Sequence, residues 1–386
     1  MRFAQACRLS TAIAAVMAAS VAQAELNLNG FMSVGAGMTT GSDETLYGYD
    51  DKISFQPDSL VGIQAMADLD NNFSATAQLT ARGSDNNEVN AEWAYLSYQA
   101  TPELRINAGR QRMPLYMYSD YLDVGYAYHW VSPPGTFYNS PISSFNGLSI
   151  NYSTYVGDFE TGLQVVGGSA SEEGLRGSSF EYDINFENYV GAVATIGYGP
   201  VVFRATYQQT KMDLTGGSAF EGFAALAGMV AASNPELADE LVTEGVDLTF
   251  AGLGVSVDWN SLLFVAEVRE QKYKDSVVPD ELAYYGSVAY QVGDFMPYAS
   301  VERAESSGER EMAATLAALS PALAGARNAM DEDRHTYTAG VRYNFHPSAA
   351  LKAEYTVADD HRDTAGLPGG TGGDASLVRF AVDAVF

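Results

Sequence analysis

"SLVRFAVDAVF", residues Ser376 to Phe386, alternates without a break. Val378, Phe380, Val382, Ala384 and Phe386 fall on one face, and Arg379, Ala381 and Asp383 on the other. A period of two is that of an extended strand, whose successive side chains point to opposite sides. This strand has one greasy face and one wet face and ends on an aromatic ring. It asks for an apolar environment on one side of a sheet and an aqueous one on the other.

The other end of the chain suggests where such a pair of environments is found. Arg2 and Arg8 precede an apolar run from Leu9 to Val21, followed by Ala22-Gln23-Ala24, a small-x-small cleavage pattern. The run falls short of the ~20 residues a membrane-spanning helix needs. Residues 1–24 are therefore expected to be a cleaved signal peptide, with residues 25–386 as the mature domain. The only cysteine, Cys7, lies in that leader, so the mature protein has no disulfide, thiol chemistry or cysteine metal site.

Charge narrows the partners. The chain carries 21 Lys and Arg against 48 Asp and Glu; without Arg2 and Arg8 the balance is 19 against 48, a net charge of −29. Such a surface repels nucleic acid. No segment after residue 24 has the ~18 uninterrupted apolar residues of a membrane helix. A membrane can then be crossed only by alternating strands closed into a barrel, the other arrangement that satisfies every backbone group in lipid.

Alternation recurs along the chain. Val61, Ile63, Ala65, Ala67 and Leu69 oppose Gln64, Met66 and Asp68; Tyr337, Ala339, Val341, Tyr343 and Phe345 oppose Thr336, Thr338, Gly340, Arg342 and Asn344. The pattern predicts sixteen strands, over 26–38, 59–69, 73–82, 88–100, 104–112, 146–156, 159–168, 188–198, 201–214, 246–258, 261–274, 281–292, 295–304, 334–345, 348–358 and 375–386. Their connections alternate short and long. The short ones, such as Asp70-Asn71-Asn72, Gly157-Asp158, Gly199-Pro200 and Gly293-Asp294, use the residues tight turns favour. The longer ones are 39–58, 83–87, 113–145, 169–187, 215–245, 275–280, 305–333 and 359–374. Short turns on one side and longer loops on the other describe an all-β, antiparallel transmembrane barrel in the bacterial outer membrane, both termini on the periplasmic, short-turn side. Phe73, Phe159, Tyr198, Trp259, Phe295 and Phe345 each flank a short turn, as an interfacial aromatic belt requires.

A final alternating strand carrying Phe380 and ending in Phe386 resembles the C-terminal signature of Gram-negative outer-membrane proteins. The sixteen-strand layout, with a long loop after strand five, is similar to the trimeric porins. That resemblance implies a homotrimer among outer-membrane lipid and lipopolysaccharide, and a terminal strand read by the barrel-assembly machinery through Phe380 and Phe386. It also implies a loop after strand five that folds inward and narrows a water-filled channel for small hydrophilic solutes and ions.

On that reading, 113–145 is the constriction loop. Tyr116, Tyr118, Tyr121, Tyr126, Tyr128 and Trp130 are expected to line the pore, with Asp120 and Asp123 supplying negative charge. Arg82, Arg105, Arg110 and Arg112 are candidates for the opposing wall. Arg105 has the lumen parity of its strand, whereas Arg110 and Arg112 share the parity of Leu104, Ile106 and Ala108. Either a bulge at Gly109 re-aims them, or they lie above the lipid band. The segment lacks the Pro-Glu-Phe-Gly-Gly run of enteric porin loops, and it reads alternatively as an external loop packed on a neighbouring subunit. The remaining inward charges, Asp68, Glu92, Glu160, Glu267, Glu354 and Asp383 against Arg204, Arg269, Arg342, Lys352 and Arg379, read as a solvated ladder along the wall. The net charge favours cations, with acidic loops expected at Glu302–Glu311 and Asp331–Asp333.

Enzyme signals are weak. His129, His335, His346 and His361 show no metal-ligand spacing, there is no nucleophile elbow or phosphate loop, and Asp359-Asp360 reads as loop charge. No metal or cofactor is expected. A substrate-specific channel, or a barrel enzyme or adhesin acting through its external loops, is the alternative. Two of those loops, 219–243 and 311–330, are rich in Ala and Leu and are cut by Asn234-Pro235 and Ser320-Pro321. A helix prefers Ser or Asn at its N-cap and Pro at its first position. Two short helices are expected in each loop, packing over the barrel mouth or standing as separate flaps, with Leu237 and Leu241 on an apolar stripe.

Overall fold

A computed structural model describes residues 26–42, 44–176, 181–307, 310–360 and 373–386. The expected leader, Cys7 and His361 lie outside them. Among the described residues, sixteen strands form one antiparallel sheet. They are β1 (Leu26–Thr39), β2 (Leu60–Leu69), β3 (Phe73–Arg82), β4 (Val89–Gln99), β5 (Leu104–Arg112), β6 (Ser144–Val156), β7 (Phe159–Arg176), β8 (Glu181–Tyr198), β9 (Val201–Thr215), β10 (Val246–Trp259), β11 (Leu262–Lys274), β12 (Asp280–Tyr290), β13 (Phe295–Ser307), β14 (Asp333–His346), β15 (Ala349–Asp360) and β16 (Ala375–Val385). Each pairs with its neighbours in sequence, and β16 pairs with β1, so the sheet closes without an edge.

The burial pattern is that of a soluble protein turned inside out. Ile63, Phe73, Leu96, Leu148, Phe203, Leu253 and Phe380 are exposed on the outer face, while Ser97, Asn107, Ser149, Thr206, Thr338 and Thr356 are buried inside. An outer surface of this composition is stable only against lipid. The short turns behave as their residues dictate: Asn71, Asn72, Gly157, Gly199, Asn260 and Gly293 all adopt positive φ. The expected belt forms at this end, with Phe73 packed on Tyr98 at 4.8 Å, Phe159 on Tyr198 at 5.0 Å and Phe295 stacked on Tyr343 at 4.6 Å between ring centroids.

Beyond the end of β16, Phe386 extends the seam. Its N–H donates to the Gly30 carbonyl at 2.9 Å, and the Gly30 N–H donates back at 2.6 Å. The Phe386 ring lies where a Cβ on Gly30 would be, so the aromatic covers a bare stretch of β1. Removing Phe386 should lower the amount of assembled barrel in the outer membrane, measured as heat-modifiable protein. Normal levels and rates of assembly in the truncated chain would refute the assignment.

The largest departures from the predicted boundaries are in β7 and β8, which run on to Arg176 and start at Glu181. Register shifts at Gly168/Ala170, Glu172/Leu175 and Glu187/Val190 break the parity of this hairpin. Its inner face, with Ala170, Ile184 and Phe186 buried, meets protein rather than water. The barrel is therefore low along β2–β5, of 9 to 11 residues each, and tall along β7 and β8, of 18 each. Strands take up part of the two expected acidic loops and the expected loop charge: Glu302 is buried within β13, Asp333 opens β14, and Asp359 and Asp360 close β15.

Both helical loops form as their caps dictate. The first holds α1 (Gly217–Val230) and α2 (Pro235–Glu240); the second holds α3 (Arg310–Leu319) and α4 (Pro321–Asn328). Asn234 accepts from the Leu237 N–H at 3.2 Å, and Ser320 from the Leu323 N–H at 3.4 Å. Phe220, Phe223, Leu226, Leu237 and Leu241 of the first loop and Leu316 and Ala324 of the second share one apolar core with Ile184, Met212 and Leu248 of the tall wall. The two loops thus pack on each other rather than standing apart.

Candidate pore constriction

Pro114 stops β5 from continuing, and residues 113–143 turn into the barrel instead of leaving it. Strand-wall side chains bind the backbone of this segment along its length. Arg204 and Gln208 donate to the Pro114 carbonyl at 2.7 and 3.0 Å. Glu267 accepts from the Met117 N–H at 2.8 Å and from the Tyr138 hydroxyl. Arg342 donates to the Tyr126 and Tyr128 carbonyls, both at 2.8 Å, and Arg269 to that of Phe137 at 3.0 Å. Glu354 accepts from the Val131 N–H and Glu302 from the Thr136 N–H, each at 3.0 Å. The segment is therefore an internal strap held by β9, β11 and β13–β15.

These charges correct the reading of a solvated ladder. Arg269, Lys352, Glu354, Arg379 and Asp383 are buried, and each answers an opposite charge or a loop carbonyl. Lys352 lies 2.8 Å from the Asp383 carboxylate and donates to the Gly125 carbonyl at 2.7 Å. Arg379 meets Glu354 at 2.6 Å. Gly125 sits so close to the β1–β16 seam that a Cβ there would strike Asp383 and Ser33.

On the other side, Asp123 draws the strap to the low wall. Arg82 meets Asp123 at 2.7 Å and Glu92 at 2.5 Å, while Arg112 pairs with Asp123 and lies 3.5 Å from Glu92. Burial alone would raise the Asp123 carboxyl; Arg112 and then Arg82 outweigh it and hold it below the ordinary carboxylate range. Arg82 and Arg112 thus touch Asp123 directly instead of facing it across a gap. Glu92 reaches this cluster because the β3–β4 register shifts next to it, between Gln78 and Leu79. The expected bulge at Gly109 does not form. β5 keeps register with β4 and β6 through Gly109, whose φ of 135° suits only glycine. Arg110 accordingly stays away from the strap: it donates to the Ala91 carbonyl at 2.7 Å and meets Glu172 at 3.4 Å. Arg112 reaches Asp123 because it is the last residue of the strand.

The aromatic residues also divide differently. Tyr116, Tyr118, Tyr128 and Trp130 are buried between the strap and the wall, packed with Phe137, Phe250 and Tyr285. They fasten the strap and do not line a passage. His129 is buried with them, 2.9 Å from the Ser287 hydroxyl. Burial, reinforced by Lys352 and Arg342, pushes its ring down to about 3, so it is neutral. Tyr121 and Asp120 are the exposed members of the expected set on the strap, and Arg105 is exposed on β5, nearer the short turns. Glu267, Glu302 and the Lys352–Asp383 pair, absent from the expected site, are central to it. Their inward parity was the available signal.

A closed barrel that is apolar outside, polar within and strapped across its lumen is an outer-membrane channel. A family model described as Gram-negative porin matches residues 10–363, and the chain belongs to that family. In structure it is similar to the outer membrane channel DcaP of Acinetobacter baumannii (11% identity, TM-score 0.59, covering 95% of this chain and 98% of that one). It is also similar to OmpF of Salmonella typhi in complex with daunomycin (14%, 0.58, 94% and 98%) and to the loop L8 deletion mutant of OmpT of Vibrio cholerae (13%, 0.55, 94% and 99%). No curated protein sequence matches the chain. The protein is an outer-membrane porin for passive diffusion of solutes.

Proposed function

We propose that the narrowest passage runs between the free face of the strap, marked by Asp120 and Tyr121, and the β5–β9 wall that carries Arg105 and Arg204. The observation that carries this is the one-sidedness of the strap. Its buried residues face β9–β16, and Asp123 ties its tip to Arg82 and Arg112. Those two arginines are neutralised by Asp123 and Glu92, which leaves Asp120 as the exposed charge on the strap. The channel then prefers cations. Planar-bilayer recording in a salt gradient should give a cation-selective reversal potential that Asp120→Asn moves toward anions. Anion selectivity in the wild type would mean that Arg105 and Arg204 dominate. Silence from well-folded protein would favour the rival reading, a barrel enzyme or adhesin working through its outer loops.

The same reading includes a homotrimer joined along the low β2–β5 wall, whose outer face exposes Val61, Ile63, Leu96 and Tyr98. A solved OmpT of Vibrio cholerae (13% identity, TM-score 0.52) is described as a trimer form. Conductance steps in threes are the corresponding sign. Residues 1–24 serve as the export leader, and the strand ending in Phe386 as the feature read by the assembly machinery.

A further inference from the structure

A passage for hydrophilic solutes has no use for an apolar chamber at its mouth, yet one is present. A half-open cavity of about 260 Å³ lies under the helical cap, between α1, the end of α4 and the tall wall. Tyr182, Phe220 and Tyr273 are the aromatic residues of its lining, and Met212 and Met330 its thioethers. A second void of about 50 Å³ shares Pro141, Ile184, Met212 and Tyr273 with it and reaches Met113 and Leu115 at the root of the strap. The surrounding core is otherwise closely packed. Phe223, Leu241, Val277, Leu316 and Ala324 are fully buried, and α1 approaches Leu323 so closely that a Cβ on Gly222 would lie 2.8 Å from it.

We propose that this chamber is a binding site for a single-ring aromatic solute bearing one small polar group. Protein interiors leave few voids larger than a water molecule, and an apolar void hydrates poorly. A cavity of about 150 Å³ lined by aliphatic and aromatic side chains already takes benzene. The larger chamber here accommodates a substituted ring. Its rings and thioethers make edge-to-face and sulfur–aromatic contacts that an aliphatic guest cannot. The hydroxyls of Tyr182 and Tyr273 give the lining a polar component that a hydroxyl or similar group on the ring can meet. Because α1 and α4 roof the chamber, the guest sits against the cap itself and beside the start of the strap.

The test uses the full-length porin in lipid nanodiscs with 13C-labelled methionine methyl groups, titrated with phenol. Met212 and Met330 report the chamber; Met32, exposed on the lipid face, reports partition into the bilayer, and Met66, exposed on the inner face of β2, reports contact in the aqueous channel. A saturable shift at Met212 and Met330, with only a linear drift at Met32 and Met66, is the expected result. Ala326→Phe should fill the chamber and abolish the saturable shift, with Ala329→Phe as the second filling variant if the first does not give heat-modifiable barrel. Linear, non-saturating shifts at all four methionines would overturn the proposal, as would saturation that persists in a folded filling variant. Conductance of the same preparations is read separately, so a failed titration leaves the channel reading standing.

Discussion

Replacing Lys352 by Met should destabilise the barrel by ~3–5 kcal/mol, the usual cost of leaving one member of a buried ion pair alone. Lys352 and Asp383 are both fully buried. Without the ammonium, Asp383 keeps the Ser33 hydroxyl at 2.6 Å as a donor but loses its counter-charge. The Gly125 and Trp130 carbonyls lose their donor at the same time. Two effects follow from one substitution. The melting transition of the barrel falls, and the strap is released near its tip, so bilayer current becomes noisier or larger. Adding Asp383→Asn should recover most of the stability, because the uncompensated charge is gone, but not the quiet current, because the strap carbonyls remain unanswered. An unchanged melting temperature with a quiet wild-type current in the single variant would show that the strap does not depend on this pair.

How far the sequence carries this picture depends on whether a feature is local. Alternation and turn residues are local, and they place all sixteen strands; β3 and β5 begin and end where the pattern says. The helix caps are local too, and Asn234-Pro235 and Ser320-Pro321 mark the breaks between the paired helices. The extensions of β7 and β8 are not legible, since three register shifts scramble the parity that would announce them, and Gly167-Gly168 lies at the first of these. The strap is legible as a long aromatic segment after β5, but its facing is not. Whether Tyr118 lines water or packs on Trp130 depends on a wall distant in sequence. The same holds for the charges. Lys352 and Asp383 are legible as inward, but only closure of β1 on β16 brings Gly125 and Ser33 to them. Arg112 is misleading in parity because it stands at the strand end, where the backbone no longer fixes its direction.

The cap supplies the second large effect. Deleting residues 219–243 should widen entry, raising conductance and admitting larger solutes, while the heat-resistant barrel survives. The segment contributes Phe220, Phe223, Leu226, Leu237 and Leu241 to the core over the mouth. Its loss strips Leu316 and Ala324 of their partners, so α3 and α4 should loosen as well, although they are intact in sequence. The strands are insulated from this. Below the cap their pairing continues from Met212↔Val246 to Val201↔Val257 without interruption, and closure depends on the distant β1–β16 seam. Hydrogen bonds cross the cut at its end: the Leu214 N–H donates to the Thr243 carbonyl at 2.7 Å, closing the last rung of β9, and the Val277 N–H and Ser276 hydroxyl donate to the Val242 carbonyl at 3.3 and 3.2 Å. A deletion that stops at Leu241 keeps that rung and isolates the role of the helices from damage to the hairpin. If the shorter deletion raises conductance as much as the longer one, the helices restrict entry. Wild-type conductance and size cut-off in both would mean that solutes already pass beside the cap, and that the strap alone limits the channel.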